Sequence, residues 1–335
     1  FEKGNSAIGL GDAYRSLGDA YLMAGNHEEA LAMYMRSLPH YSAARSFIGL
    51  GNVYQSVGDS SLYLKDPDKA MESFAAALDY YRKLGDIESE AFVLFKIAGI
   101  HAGKGSRDLA LTLYEEGLAR LERVRGQTGF SELKKSYMAK VYDLYNDAAV
   151  FMIENGFKEK AFKYVEAMKA RVFLDQLSEG LVDLGKGIDP SLKEKRDVLE
   201  KKIALLGGQV LDESQKPSHD PAVLASMQKE KEKAEEELDA MRREIRYRNP
   251  LYASVQYPEP IALQALQGKV LAKNEVLLEY FLSGKGVYCF IVRADRYDLV
   301  RLPVGQAAVE RMVKDLLGKI REGGMLGSRY PAEDA

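Results

Sequence analysis

Over most of the first 248 residues, apolar side chains return every three or four positions, the spacing of one face of an α-helix. Small and polar residues punctuate that pattern. Ala24-Gly25-Asn26, Gly58-Asp59, Gly103-Lys104-Gly105 and Glu154-Asn155-Gly156 read as turns between helices. From about residue 250 the period changes. Asn249-Pro250 and Tyr257-Pro258-Glu259-Pro260 end helices. VLLEYFL (276–282), GVYCFIV (286–292) and YDLVRL (297–302) are β-rich runs separated by Gly284-Lys285-Gly286 and Ala294-Asp295-Arg296. Three such runs with short links predict an antiparallel meander. A helix from about Ala307 to Arg321 and a loose tail, GGMLGSRYPAEDA, follow.

A single phrase repeats along the helical segment. It reads Leu17, Gly18, Tyr21, Ala30, Tyr34, Ser37, and returns as Leu50, Gly51, Tyr54, Ala70, Phe74, Ala77, with a helix-to-helix link seven residues longer that carries Pro67. Further copies are Ile97, Ala98, His101, Ala110, Tyr114, Gly117 and, more weakly, Ala148, Ala149, Met152, Ala161, Val165, Met168. These are the offsets of a tetratricopeptide (TPR) unit. Small residues let two antiparallel helices approach closely, and aromatics fill the gaps between successive pairs. Such units stack into a superhelix with a groove lined by the first helix of each pair. The groove-facing positions are read as Asp12, Arg15 and Asp19; Arg45, Ile48 and Asn52; Phe92, Phe95 and Gly99; and Asp143, Asn146 and Val150. The row lacks a Lys/Asn/Arg carboxylate clamp, and Phe92 and Phe95 make its third repeat apolar. The expected ligand is therefore a protein or peptide with an apolar or helical face. Alternatively, Phe92 and Phe95 simply pack inside the protein.

KARVFLDQLSEGLVDLG (169–185) is read as a helix that caps the repeats. Between 191 and 248 basic and acidic residues cancel, and Leu192, Leu199, Ile203, Leu206 and Val210, then Leu224, Met227, Ala234, Leu238, Met241 and Ile245, keep helical spacing on either side of Pro217 and Pro221. That pattern predicts an antiparallel helical hairpin, with KEKEKAEEE (229–237) as a solvated face. The fold class is mainly α: a repeat array with capping helix over 1–185, a charged linker hairpin over 186–250, and a β-meander plus helix over 251–335. Three strands and a helix make a poor independent core. The chain is therefore read as stopping inside a domain, with an apolar patch exposed among Leu277, Tyr280, Leu282, Tyr288, Phe290 and Val292.

This order of segments, with NEVLLEYFLSGKGVYCFIV (274–292) followed by LVRLPV (299–304), resembles bacterial TPR–CHAT proteins, in which a caspase-like cysteine peptidase domain is appended to a TPR array. The resemblance implies that the meander opens an α/β caspase-like domain, and that the repeats bind a partner or restrain the protease. It also implies a His/Cys dyad further along such a domain. The family's His-Gly and Ser-Ala-Cys-like segments are absent from these 335 residues, so no catalytic residue is carried over. The alternative is a non-enzymatic scaffold whose caspase-like domain is degenerate.

Composition narrows the chemistry. Lys plus Arg number 47 and Asp plus Glu 50, for a net charge of −3. A polyanion-coating protein needs a basic excess, so no nucleic-acid partner is expected. One cysteine excludes an internal disulfide, and no apolar run is long enough to span a membrane. The expected location is cytoplasmic, although the first residue is Phe1 rather than Met and a preceding segment is expected. Cys289, mid-strand in VYCFIV, is read as a buried thiol rather than a nucleophile. His27, His40, His101 and His219 share no metal-ligand spacing, and Glu279 has no carboxylate partner. Gly49-Leu50-Gly51 and Gly323-Gly324 do not follow a strand and open a helix as phosphate-binding loops do. No cofactor, metal or catalytic site is assigned. Arg242, Arg243, Arg246 and Arg248 are explained by their place at a helix C-terminus.

Overall fold

A computed structural model describes residues 2–125, 133–179, 189–214, 216, 220–250, 252–253 and 261–327. The chain opens with α1 (Glu2–Met23), α2 (His27–Ala43), α3 (Phe47–Tyr63), α4 (Pro67–Leu84), α5 (Ile87–Gly103), α6 (Arg107–Arg125), α7 (Leu133–Glu154) and α8 (Lys158–Glu179). The turns between them share one construction. Gly25, Arg45, Lys65, Gly85, Gly105 and Gly156 each sit at positive φ just past a helix end. The following N–H reaches back to the carbonyl five residues earlier, as Asn26 does to Tyr21 (2.9 Å), Asp66 to Ser61 (2.9 Å) and Asp86 to Tyr81 (3.0 Å). That bond satisfies a carbonyl left open at the helix end. In three of these turns the residue at that position also caps the next helix: Ser46 Oγ accepts from Gly49 N (3.2 Å), Asp66 from Lys69 N (3.0 Å) and Asp86 from Ser89 N (3.0 Å). From Gly25 to Gly105 this punctuation falls every twenty residues.

The hairpins α1–α2, α3–α4 and α5–α6 pack antiparallel, and α2 meets α3 as α4 meets α5. The second repeat differs from its expected register. Gly58-Asp59 is not a turn; it lies inside α3, and the α3–α4 link is as short as the others. Gly58, not Gly51, takes the place of Gly18. The two glycines are seven residues apart, two turns along the same face, so a phrase match cannot separate them. The unexpected long link disappears with the corrected register. Likewise KARVFLDQL is not a separate cap: α8 runs unbroken to Glu179, and 180–188 lie outside the described residues.

By spatial contact the chain forms two compact units, one of residues 1–148 and 172–259, the other of 149–171 and 260–335, which cut across the division expected from sequence period. The first unit also contains α9 (Pro190–Ser214) and α10 (Pro221–Arg248), the expected antiparallel hairpin. Ile203 packs with Ala234 and Leu238 along the seam, while Leu192 and Ile245 close around Tyr252 and Ala253. Asp220 caps α10 through Ala222 N (2.8 Å), and the helix stops before Asn249-Pro250.

In the second unit β1 (Val276–Ser283), β2 (Gly286–Arg293) and β3 (Tyr297–Leu302) form the expected meander in the order β1-β2-β3. One sheet face is covered by α8, with Phe162 edge-on to Phe290 at 5.5 Å. The expected apolar patch is met only in part. Tyr280 is exposed, Leu277 and Leu282 are half-buried, and Tyr288, Phe290 and Val292 are buried; the other exposed apolar side chains of the sheet are Val276 and Leu278 on β1 and Val300 on β3. The last helix, α11 (Gln306–Gly327), extends through Gly323-Gly324, which were expected in the loose tail; 328–335 lie outside the described residues. Among the described residues no helix is long and apolar enough to cross a membrane.

Candidate functional site

The first helices of repeats one and two are shaped by aromatic side chains lying over glycines. A Cβ on Gly18 would meet the Tyr34 ring at 2.5 Å, one on Gly58 the Phe74 ring at 2.6 Å, one on Gly11 the Tyr41 ring at 2.9 Å and one on Gly51 the Tyr81 ring at 2.9 Å. Glycine is required because the ring occupies the space of a side chain. The tyrosine hydroxyls then reach across to the next residues of the first helix. Tyr34 donates to Asp19 (2.8 Å), Tyr41 to Asp12 (2.6 Å), and Tyr81 to Asn52 (2.9 Å) and Gln55 (2.8 Å). Arg15 pairs with Asp19 at 3.2 Å. Burial, reinforced by the bond to Asp12, pushes the Tyr41 hydroxyl up to about 12, and burial likewise raises Tyr34 and Tyr81.

Equivalent positions recur at forty-residue spacing: Asp12, Asn52 and Phe92; Arg15, Gln55 and Phe95; Asp19, Asp59 and Gly99. Of the expected groove residues, Arg15, Asp19 and Asn52 are thus brought onto corresponding faces. Arg45 is not: it is exposed in the α2–α3 turn at φ 53°, and Ile48 lies in the first turn of α3. Both lie seven residues ahead of the positions equivalent to Asp12 and Arg15, which are held instead by Asn52 and Gln55, with Asp59 one turn further on. The spacing of Tyr41 and Tyr81 carries that signal in the sequence. Asp59 bonds to Lys96 at 2.8 Å. Phe95 is a core residue, edge-on to Tyr114 at 5.5 Å and pressed on Gly117, whereas Phe92 is half-buried. Gly99 is exposed, with only the Tyr114 hydroxyl near its Cβ position at 3.8 Å. Asn146 is half-buried, its Oδ1 enclosed without a hydrogen-bond partner among the described residues, and Val150 is buried.

A second cluster joins the charged hairpin to the repeats inside the first unit. Gln228 donates to the Lys83 carbonyl and Lys231 to the Gly85 carbonyl (3.1 Å), both at the end of α4. Around them a cavity of about 250 Å³ is lined by Arg82, Glu90, Arg120, Lys231 and Glu235, among others. Glu90 is 5% exposed and pairs with Arg120 at 3.2 Å and Arg82 at 3.9 Å. Burial raises its pKa, and the two guanidiniums pull it back. The KEKEKAEEE run is therefore not wholly a solvated face: Glu235 is buried and Lys231 half-buried, turned toward this cluster.

The remaining reactive groups are held in the fold. Cys289 lies in β2 under its neighbours, and burial raises its thiol pKa. Glu279 faces Lys169 of α8 in an ion pair. His27 stacks on Tyr63 at 4.4 Å and His40, within α2 rather than in a turn, on Tyr14 at 5.5 Å; His101 is half-buried, and His219 lies outside the described residues. Among the described residues no three His, Cys, Asp or Glu side chains converge as a metal site.

No protein-family model and no curated protein matches the sequence. Solved structures similar to it include BtubC (BKLC) from P. vanneervenii, 16% identical with a TM-score of 0.39, covering 73% of this chain and 91% of that one. A kinesin light chain-like protein of Podosopora anserina with nearly identical TPR-like repeats is 14% identical, TM-score 0.38, covering 70% and 96%. Pseudomonas aeruginosa pilF is 14% identical, TM-score 0.36, covering 74% and 97%. At these values the likenesses add nothing to the hairpins themselves, which establish the TPR-like repeat.

Proposed function

We propose that this chain is a protein-interaction scaffold whose first-helix face takes a peptide segment of a partner. The observation that carries this reading is the recurrence of one face at forty-residue spacing. The second helices are consumed in packing, with Ala30, Tyr34, Ala70, Phe74 and Ala110 all 6% exposed or less. The first helices keep Asp12 and Gly99 exposed and Asn52, Gln55, Asp59 and Phe92 half-buried. Fixed polar groups followed by an aromatic edge suit a peptide that is polar at one end and apolar at the other. Tyrosine hydroxyls that hold Asp12, Asp19, Asn52 and Gln55 in place lower the entropy lost on binding.

Within this reading we place the chain as the sensor and linker region of a CHAT-type caspase-like peptidase. The resemblance of residues 274–304 to the opening strands of that domain supports it, as does the meander those residues form. Cys289, the sole cysteine, is buried in β2, and burial raises its thiol pKa. The alternative is a scaffold without protease activity in its parent.

Gly99→Arg tests the binding face. It puts a long cation onto that face where only one atom stands within 4 Å, and arginine favours helix over glycine. Peptides selected on the unaltered chain should bind the variant at least ~10-fold more weakly, a loss of about 1.4 kcal/mol. Equal affinity, with unchanged circular dichroism, removes the first-helix face as the site. In a parent that carries a caspase-like domain, endopeptidase activity that is lost when that domain's His or Cys is replaced supports the peptidase reading, and absence of activity supports the scaffold.

A further inference from the structure

In the second unit large apolar side chains are exposed on two surfaces. On the sheet, Val276, Leu278 and Tyr280 point to the face opposite α8 and are 46%, 50% and 46% exposed; Val300 on the same face is 42% exposed, while Val287 and Cys289 of β2 are buried between the two edge strands. On α11, Met312, Val313, Leu316 and Leu317 form one stripe at helical spacing and are 61%, 49%, 57% and 48% exposed. Large apolar side chains so concentrated on one small unit mark a surface that something covers.

We propose that α11 is a lid that closes over the open face of the sheet, and that the structure shows it open. The link between β3 and α11 is Pro303-Val304-Gly305, and three residues suffice to fold a helix back across the strand before it. Gly305 is exposed with nothing within 4 Å of its Cβ position, so the hinge is unobstructed. Lengths agree. Val309 to Leu317 spans ~12 Å of helix axis, and Val276 to Tyr280 spans ~13 Å of strand. Folded back, α11 runs antiparallel to β3 and lays its stripe across β1 and β3.

The occupant is the chain's own helix rather than that of a second copy because of tethering. A short link gives an effective concentration of order 1 mM, so at ~1 µM protein the own-chain helix is favoured about 1,000-fold. Closure removes both apolar surfaces from water at once and leaves Arg311, Lys314 and Asp315, all exposed now, on the outer side of the lid. It is independent of what the repeats bind.

The test uses the full chain with Cys289→Ala, so that introduced thiols are the only ones. Leu278→Cys with Leu316→Cys joins the two faces, and Leu278→Cys with Arg311→Cys is the control on the helix's polar side. A short bismaleimide should link the first pair within one chain several-fold more than the control, to an extent independent of protein concentration. Failure to exceed the control overturns the lid, and adducts that are dimers rising with concentration assign the face to a second copy instead. A separate readout needs no cysteine. Leu316→Asp should raise binding of an apolar-surface dye at least two-fold if the lid closes in solution, and unchanged or weaker dye binding refutes closure.

Discussion

Of the described glycines in the repeats, Gly49 under Tyr41 leaves the least room for a side chain, and replacing it with alanine tests the glycine-under-aromatic packing directly. A Cβ there would lie 2.2 Å from Tyr41 Cδ1 and 2.5 Å from Cε1. An ordinary contact begins at 3.4 Å, so the ring must move by more than an ångström. It has little freedom to do so. Tyr41 is 2% exposed, Gly11 of α1 also presses on the ring, and its hydroxyl is bonded to Asp12 at 2.6 Å. Overpacking of this kind costs about 1–3 kcal/mol. Against it stands the better helix propensity of alanine, at most ~1 kcal/mol and less in the first turn of α3. The net expectation is a loss of about 1–2 kcal/mol. Gly99→Ala is the opposite case: mid-helix and open, it should gain roughly 0.5–1 kcal/mol. Urea denaturation followed by circular dichroism reads both, and amide exchange in α2 and α3 shows whether the loss is local. Removing the ring (Tyr41→Leu) should abolish most of the Gly49→Ala penalty in a double-mutant cycle. Gly49→Ala at or above the midpoint of the unaltered chain, with unchanged slope, would refute the packing argument.

Lys65 holds positive φ at the α3–α4 turn where Gly25, Gly85 and Gly105 stand elsewhere, so Lys65→Gly should raise stability by roughly 0.5 kcal/mol, the relief of left-handed strain less the added freedom of the unfolded chain; a lower urea midpoint contradicts this. Alkaline pH should unfold the repeats. Tyr41 and Tyr114 are raised to about 12 from 10, and a raised tyrosine contributes stability that is present below pH 10 and lost as pH climbs through 12. Ultraviolet titration should show these phenols ionising late and together with loss of helix; early, uncoupled ionisation argues against burial. Cys289 should react slowly with a thiol reagent in the folded chain and fast in denaturant, and equal rates would show that β2 is not buried as described. Ala110→Leu, at a position 0% exposed between α5 and α6, should cost on the order of 1–3 kcal/mol in thermal unfolding, and no change would undo the repeat assignment there.

Some features are legible in the sequence because they are local. A turn formula such as Ala24-Gly25-Asn26 specifies a left-handed residue just past a helix end, and helix spacing survives any tertiary arrangement. The meander is legible because its strands are apolar and its links are short. The register of the second repeat is not, because Gly51 and Gly58 occupy one helix face and the phrase fits either. That slip draws Arg45 and Ile48 onto the repeating first-helix face and leaves Gln55 and Asp59 off it.

Sequence by itself determined most elements of this protein: helices in antiparallel pairs with turns at Gly25, Gly105 and Gly156, a charged hairpin, three strands and a final helix. Each follows from interactions within a few residues, namely backbone bonding, caps and the alternation of apolar positions. Tertiary structure alone decided which groups meet across long separations. It set Tyr41 over Gly11 and Gly49 with its hydroxyl on Asp12, turned Lys231 toward Gly85, and buried Phe290 against Phe162 while leaving Leu278 bare. The physical reason is that strand VLLEYFL is apolar on both sides, so its pattern cannot say which side is covered. That choice belongs to the helix that arrives from elsewhere in the chain.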